Sequence, residues 1–290
     1  MLIPRKCIVC GEKLTLQEEH LCRWCREDMP LTRFWQIRQN RMADKMNERI
    51  QKELERILEE QEMQSSQPER YAYAAALFFF NDDADYKKIP YRIKYEGDIR
   101  AGRHFGTVLG KHLSSSGWFK DIDMIIPVPL HRKRKWKRGY NQAEIIAEGI
   151  SRALGVPVRT DILKRHRNTK TQINLDIEEK GANVAGAFVA SLPGQPRKTA
   201  PEARYATEPE ATSATSPMHD PAMATERISD SEPADRSGIN GTGNHVRHIL
   251  LVDDVFTTGS TLMACFTALR DVFPPSVRIS IATLGFVGSP

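Results

Sequence analysis

The apolar residues of this chain gather into a few short continuous runs, which predict strands buried on both faces of a sheet. The clearest runs are residues 71–80, 124–128, 249–252 and 277–286. Apolar residues at helical spacing follow two of these runs, as the set Ala143, Ile146 and Ile150 and the set Leu262, Phe266 and Leu269. A further helix is predicted over residues 98–113. Strands that alternate with helices predict an α/β fold with a mostly parallel sheet flanked by helices.

A different pattern covers residues 31–70, where apolar residues recur at every fourth position among charged ones. The set is Met42, Met46, Ile50, Leu54 and Leu58. This spacing predicts a long amphipathic helix. We expect this helical arm to join an N-terminal segment to the main domain, residues 71–290, or to pack against a partner. Its charges alternate in sign, which favours a solvated outer face over a nucleic-acid stripe.

Residues 191–245 show neither pattern. They are rich in Pro, Ala, Thr, Ser and Glu and contain almost no large apolar residues. Such a segment cannot bury enough apolar surface to offset the entropy cost of ordering it. We therefore expect a disordered insertion that joins two strands of one domain.

Composition and charge narrow the class of protein only slightly. The 290 residues carry a formal net charge of +5, which suits anionic partners without separating nucleotides, nucleic acids and membrane surfaces. No run of about 18 apolar residues occurs, so we expect no membrane insertion. The first residues, with Arg5, Lys6 and Cys7, lack the apolar core of a signal peptide. These features predict a cytoplasmic protein.

Four of the cysteines form two Cys-x-x-Cys pairs near the N-terminus, and they are Cys7, Cys10, Cys22 and Cys25. Two such pairs separated by a short loop can close a tetrahedral site, so the spacing predicts a zinc finger over residues 1–30. Two alternatives to zinc are weaker. Disulfides are disfavoured in a reducing cytosol, and a redox-active Cys-x-x-Cys motif would not need a second copy. With sulfur at all four positions, the Zn²⁺ should be structural. The fifth cysteine, Cys265, is interpreted as a small core residue.

Polar residues with phosphate and ribose chemistry follow the third apolar run. Asp253 and Asp254 come first, and small residues then lead into a predicted helix: Thr257, Thr258, Gly259, Ser260 and Thr261. Hydroxyls and backbone N–H groups at a helix N-terminus can cradle a phosphate, while adjacent carboxylates can hold sugar hydroxyls. A buried strand with a Ser/Thr cap needs no ligand, but it leaves the two adjacent acids without an explanation.

A second candidate region follows the apolar run at residues 124–128. A basic segment covers residues 131–138, and its chief cations are Arg132, Lys133, Lys135 and Lys137. We expect a loop at the end of a parallel strand, where open α/β sheets place their ligands. These cations would bind pyrophosphate if the phosphate cradle lies on the same sheet edge. The alternatives are a solvated charge run and a nucleic-acid patch with Trp136 available for base stacking.

The stretch from His248 to Leu262 resembles the phosphoribosyl pyrophosphate (PRPP) signature of the type I phosphoribosyltransferases. The four-cysteine finger and three further runs make this resemblance more specific. The runs are Ile126-Pro-Val-Pro-Leu-His131, Arg138-Gly-Tyr-Asn-Gln142 and Ile93-Lys-Tyr95. Together they look like the ComF family, bacterial phosphoribosyltransferase-like proteins associated with competence and DNA uptake. The similarity covers residues 1–30, 71–190 and 247–287. It implies a type I phosphoribosyltransferase-like fold.

The resemblance also implies roles for individual residues. Asp253 and Asp254 would meet the ribose 2′ and 3′ hydroxyls, and residues 257–261 would take the 5′-phosphate. Lys133 would act with the acid pair while a phosphoribosyl group moves between pyrophosphate and a nitrogenous base, with Mg²⁺ accompanying PRPP. Gln172 and Asn183 match positions of a loop that can close over the site.

Three functions remain open, and the first two share all of these motifs. The chain can be an enzyme that turns over PRPP, or a sensor that binds PRPP or a nucleotide without turnover. It can also be an accessory protein of DNA uptake that binds single-stranded DNA or the uptake machinery through its finger and basic segment. We favour an enzyme-like PRPP binder. The acceptor base has no signature in the sequence, and an oligomer is compatible with it.

Overall fold

The computed structural model of the chain describes residues 5–61, 68–80, 85–166, 186–193 and 246–289. Most of the predicted insertion at residues 191–245 lies outside these ranges, as do Gln172 and Asn183. The helices are α1 (Arg23–Glu27), α2 (Arg41–Gln61), α3 (Lys88–Tyr95), α4 (Ile99–Ser114), α5 (Arg132–Arg138), α6 (Gln142–Leu154) and α7 (Ser260–Arg270). The strands are β1 (Ala74–Phe80), β2 (Met124–Pro127), β3 (Leu163–Arg165), β4 (Phe188–Ala190), β5 (His248–Phe256) and β6 (Arg278–Val287).

A four-stranded sheet with the order β1-β6-β5-β2 forms the centre of the molecule, and every neighbouring pair is parallel. Its edges are extended by single bridges: Leu31 pairs antiparallel with Phe78, and Val158 pairs parallel with Ile125. β3 and β4 form a separate antiparallel pair. The predicted α/β fold with a mostly parallel sheet is therefore confirmed.

Both faces of the sheet are covered, which explains why its strands are continuous apolar runs. Successive side chains of β5 point to opposite faces, with Ile249 and Leu251 in one buried cluster and Leu250 and Val252 in the other. The first cluster includes side chains of α2, α7, β3 and β4. The second includes side chains of α3, α4, α6 and the N-terminal finger.

Helix α2, the predicted helical arm, packs on the sheet of its own chain. Met42, Met46 and Ile50 are fully buried in the first core cluster. Asn40 begins the helix, because its Oδ1 accepts the N–H groups of Met42 and Ala43, at 3.1 Å and 3.0 Å. Its side-chain amide also donates to the Ala74 carbonyl of β1 at 2.9 Å. One residue thus caps the helix and ties it to the sheet.

The basic segment that we expected to be a loop is the short helix α5. Lysine and arginine are good helix formers, and both ends of the segment have caps. His131 Nδ1 accepts the Lys133 N–H at 3.3 Å, and Gly139 ends the helix in the left-handed conformation with φ of 81°. In the part of the chain that the structure describes, no helix is long and apolar enough to cross a membrane.

Candidate functional site

The acid pair lies at the carboxyl edge of the central sheet. We expected the strand to end before these residues, but β5 continues through them to Phe256. The neighbouring strand β2 pairs with β5 only as far as Val252, whereas β6 accompanies it to the end. Asp253 and Asp254 therefore lie just beyond the last residue of β5 that pairs with β2, in a part of β5 that still pairs with β6. Parallel α/β sheets bind ligands at this edge.

The two carboxylates are packed closely and only partly satisfied. Asp253 Oδ1 accepts the N–H of Asp254, and Asp254 Oδ1 accepts the N–H of Val255, both at 2.9 Å. Asp254 is 8% exposed, and its Oδ2 is buried without a hydrogen-bond partner among the described residues. Burial, with the neighbouring Asp254, raises the pKa of Asp253 well above its usual value. A buried carboxylate oxygen of this kind calls for a hydroxyl donor or a cation.

The loop after β5 leads directly into the N-terminus of α7. Gly259 is its turning point, because it has φ of +79° and a Cβ there would lie 2.8 Å from the Phe256 ring. The first bond of the helix runs from the Met263 N–H to the Gly259 carbonyl at 2.8 Å. Thr258 Oγ1 and Ser260 Oγ lie 3.0 Å apart, and Thr257 is exposed. The predicted phosphate cradle of residues 257–261 is thus a tight turn that brings hydroxyls and helix N–H groups together.

The C-terminal turn of α3 supplies a cation to the acid pair. Lys94 Nζ lies 4.0 Å from Asp254 Oδ2. The exposed ring of Tyr95 has Lys94 Nζ 5.7 Å and Arg138 Cζ 5.3 Å from its centroid. Tyr95 thus stands between the acid pair and the end of the basic helix.

The residues after α5 attach the basic helix to this edge. The Tyr140 hydroxyl donates to the Ile93 carbonyl of α3. Asn141 caps α6, and its side-chain amide donates to the Val128 carbonyl just after β2 at 3.0 Å. Both contacts hold the start of α6, and with it the end of α5, beside α3 and β2.

Most side chains of α5 face solvent. Arg132, Lys133 and Lys137 are exposed, and none of them forms an ion pair with a carboxylate in the described ranges. Lys135 pairs with Glu144 at 3.2 Å. Lys133 makes no hydrogen bond or ion pair with Asp253 or Asp254 within the described structure. The structure therefore brings the basic helix to the acid edge without placing Lys133 on the acids.

The four predicted zinc ligands come together in the finger. The sulfur atoms of Cys7, Cys10, Cys22 and Cys25 all lie within 4.8 Å of one another. Cys10 Sγ and Cys22 Sγ are 3.7 Å apart, close to the separation of about 3.8 Å that Zn–S bonds of about 2.3 Å give in a tetrahedron. Burial raises the pKa of the Cys7 thiol, but nearby backbone N–H groups outweigh it and bring the pKa to about 7. The donor set fits a structural Zn²⁺.

Comparison with known proteins gives partial matches. Competence protein F of Haemophilus influenzae is 42% identical over 66 residues, 23% of this chain and 29% of that protein. DNA utilization protein YhgH of Escherichia coli K12 is 36% identical over 75 residues, 26% of this chain and 33% of that protein. The chain is a relative of the ComF proteins. It spans about a third of the length of these curated relatives, and no protein-family profile matches it.

Two side chains at the acid edge of this ComF relative were missing from the sequence-based set. Lys94 belongs to the run Ile93-Lys-Tyr95, which contributed to the family resemblance but was given no role at the site. Arg165 lies on β3, where burial and then Arg134 lower the pKa of its guanidinium while Asp253 opposes this shift. Arg165 is thus within electrostatic range of both α5 and β5. The sequence holds no local signal that places either side chain near the acids, since these residues lie far from Asp253 and Asp254 along the chain.

Proposed function

We propose that this ComF relative binds PRPP at the carboxyl edge of its sheet and acts as a phosphoribosyltransferase-like protein. The observation that carries this proposal is the buried Asp254 Oδ2, which has no hydrogen-bond partner among the described residues and adjoins the hydroxyl-lined start of α7. A ribose hydroxyl satisfies such an oxygen, and the turn before α7 suits the phosphate of the same molecule.

In this proposal each end of PRPP has its own set of groups. Asp253 and Asp254 accept the ribose 2′ and 3′ hydroxyls, and residues 257–261 hold the 5′-phosphate. Lys94 and the cations of α5, chiefly Arg132, Lys133, Lys135 and Lys137, face the pyrophosphate. Mg²⁺ bound with PRPP would further neutralise the pyrophosphate. Without these cations, the two carboxylates and the polyanionic PRPP would repel one another.

The proposed reaction breaks the bond from ribose C1 to the pyrophosphate oxygen and forms a bond from C1 to a base nitrogen. The leaving pyrophosphate gains negative charge, and the cations of α5 stabilise that charge where it develops. The base nitrogen releases its proton to solvent, and no covalent intermediate with the protein is required. Lys133, exposed on α5, is the side chain that we assign to the leaving group.

The biological setting is also a proposal. The relatives are named for competence and for DNA utilization, which supports a role of this chain in DNA uptake. We place that role in the cytoplasm, since a reducing compartment keeps the four finger thiols available for zinc.

A second candidate function is binding of single-stranded DNA by α5. Trp136 is 90% exposed and lies among exposed arginine and lysine side chains. An exposed indole among cations is the arrangement that stacks bases and follows a phosphate backbone. Binding of this kind weakens steeply as salt rises, which separates it from PRPP binding at the acid pair.

The proposal is tested by calorimetric titration of the zinc-loaded protein with PRPP and Mg²⁺. We expect micromolar binding by the wild type and no detectable binding by the Asp253→Asn/Asp254→Asn double variant. The matched control is Asp161→Asn, because Asp161 forms a surface ion pair with Arg159 instead. Absence of binding by the wild type would overturn the assignment. Release of pyrophosphate with added bases then separates an enzyme from a sensor.

A further inference from the structure

A second group of metal-ligating side chains lies where the finger meets helix α4. Glu19 and His20 come from the finger and His104 comes from α4, and one ligand atom of each lies within 4.8 Å of the others. Glu19 Oε2 is 3.0 Å from His104 Nδ1. The rings of His20 and His104 have centroids 4.8 Å apart. None of these residues takes part in the acid edge or the four-cysteine cluster.

The backbone around each of the three residues is held by its own contacts. Ile8 donates its N–H to the His20 carbonyl at 3.0 Å, inside the finger. The carboxylate of Glu18 accepts the N–H groups of Thr15 and Arg23, at 2.8 Å and 2.6 Å, which fixes the turn before Glu19. His104 lies on α4, with its ring 5.2 Å from the buried Phe105 ring. The cluster therefore joins two elements whose positions are set by other interactions.

We propose that Glu19, His20 and His104 form a second metal site, which takes a divalent transition-metal ion such as Zn²⁺. Two imidazoles and one carboxylate are the donor set of zinc sites that have three protein ligands and an open fourth position. Imidazole nitrogen disfavours Mg²⁺ and Ca²⁺, which prefer oxygen ligands. The ion would replace the present contact between Glu19 and His104 and fasten the finger to α4 at a second point.

The surroundings of the cluster limit how tightly the ion is held. Its open side faces a cleft of about 940 Å³ that also contains Arg5, Lys6, Arg92, Arg100, Arg103 and Arg152. Two of these cations are compensated, since Arg92 pairs with Asp98 at 3.2 Å and Arg103 with Glu148 at 2.7 Å. The others oppose a further positive charge, so an anion from solution is expected as fourth ligand. We therefore expect weaker binding than at the four thiolates, and removal of this ion by a mild chelator.

The test is a count of bound metal on the full chain. Treatment with a mild chelator should leave one zinc, in the finger, and titration with Co²⁺ should then fill a second equivalent. Co²⁺ bound to nitrogen and oxygen ligands gives no thiolate charge-transfer absorption. Co²⁺ at the second site is therefore distinguished from Co²⁺ that has replaced zinc in the finger. The variant His104→Gln should bind the second equivalent at least about tenfold more weakly.

The matched control is His112→Gln, which removes a histidine from the same helix that stacks on Trp35 instead. This variant should keep the second equivalent. Glu19→Gln changes an exposed side chain and should weaken the site without disturbing the fold. A wild type that stops at one equivalent, or a His104→Gln variant that binds Co²⁺ like the wild type, would mean that Glu19 and His104 form only a hydrogen bond. The count is independent of PRPP binding.

Discussion

At the scale of single residues, Lys94 is the cation that would allow the acid pair to accept the proposed anionic ligand. Asp253 and Asp254 are adjacent carboxylates in a region of low exposure, and the proposed ligand PRPP would bring further negative charge. Lys94 lies 4.0 Å from Asp254 and also lowers the pKa of Asp253, against the larger effect of burial. Lys94 therefore offsets the repulsion between the two carboxylates, and it would also offset the repulsion between them and the proposed ligand.

We expect Lys94→Gln to weaken PRPP binding about tenfold, which corresponds to about 1.4 kcal/mol. The reason is that the variant keeps both carboxylates and removes the cation that lies 4.0 Å from Asp254 Oδ2. Calorimetric titration with PRPP and Mg²⁺ measures the change. Lys94→Arg retains the charge and is the control, with affinity close to that of the wild type. Equal affinities for the Gln and Arg variants would show that the charge is unimportant.

At the scale of elements, the turn between β5 and α7 depends on one glycine. Gly259 needs the left-handed conformation to begin the helix, and the Phe256 ring occupies the space where a side chain would lie. The alignment of the Thr258 and Ser260 hydroxyls with the first turn of α7 follows from this turn. Gly259 thus determines both the packing at the end of β5 and the shape of the proposed phosphate cradle.

The variant Gly259→Ala should lower the free energy of unfolding by about 1–3 kcal/mol, because it combines left-handed strain with a clash at Phe256. It should also weaken PRPP binding, since the turn must shift to make room. Urea unfolding and calorimetry measure the two effects. Gly117→Ala is the control, because a Cβ at Gly117 meets nothing within 4 Å. A change in stability below about 0.5 kcal/mol for Gly259→Ala would contradict the prediction.

At the scale of the whole molecule, the finger is part of the main core. Its buried residues Ile8, Val9, Leu14 and Leu21 belong to the same cluster as Phe105 of α4 and Ile146 of α6. Polar contacts reinforce this packing: Lys88 Nζ donates to the Val9 carbonyl and the Tyr86 hydroxyl to the Cys25 carbonyl, both at 2.7 Å. Loss of the finger would therefore expose one face of the α/β domain.

We expect Cys10→Ser to lose the structural zinc and about 4 kcal/mol of stability, because loss of a metal is one of the few changes that cost this much. Cys10 is exposed, so the loss would come from the missing ligand rather than from packing. Zinc content and thermal unfolding measure the outcome. Cys265→Ala is the control: it removes a buried thiol outside the finger and should keep the finger zinc. Full stability of the zinc-free variant would mean that packing alone holds the finger.

The sequence alone determined the local features of this protein. Runs such as residues 124–128 and 249–252 are too apolar to face water, so they had to become buried strands. The cysteine spacing predicted a cluster that the structure confirms. The acids and the glycine-containing turn could be placed at a strand end because the apolar run and the small hydroxyl residues adjoin in the chain.

Tertiary structure decided which of these features meet. The apolar pattern of a helix predicts that one of its faces is buried, but it does not predict which element covers that face. Only the structure shows that α2 packs on the sheet of its own chain. Strands β2 and β5 are hydrogen-bonded neighbours although α5, α6, β3 and β4 lie between them in the sequence. The contacts of Lys94 with Asp254 and of Glu19 with His104 likewise join residues far apart in the chain. They depend on chain path and packing, which a local pattern does not encode.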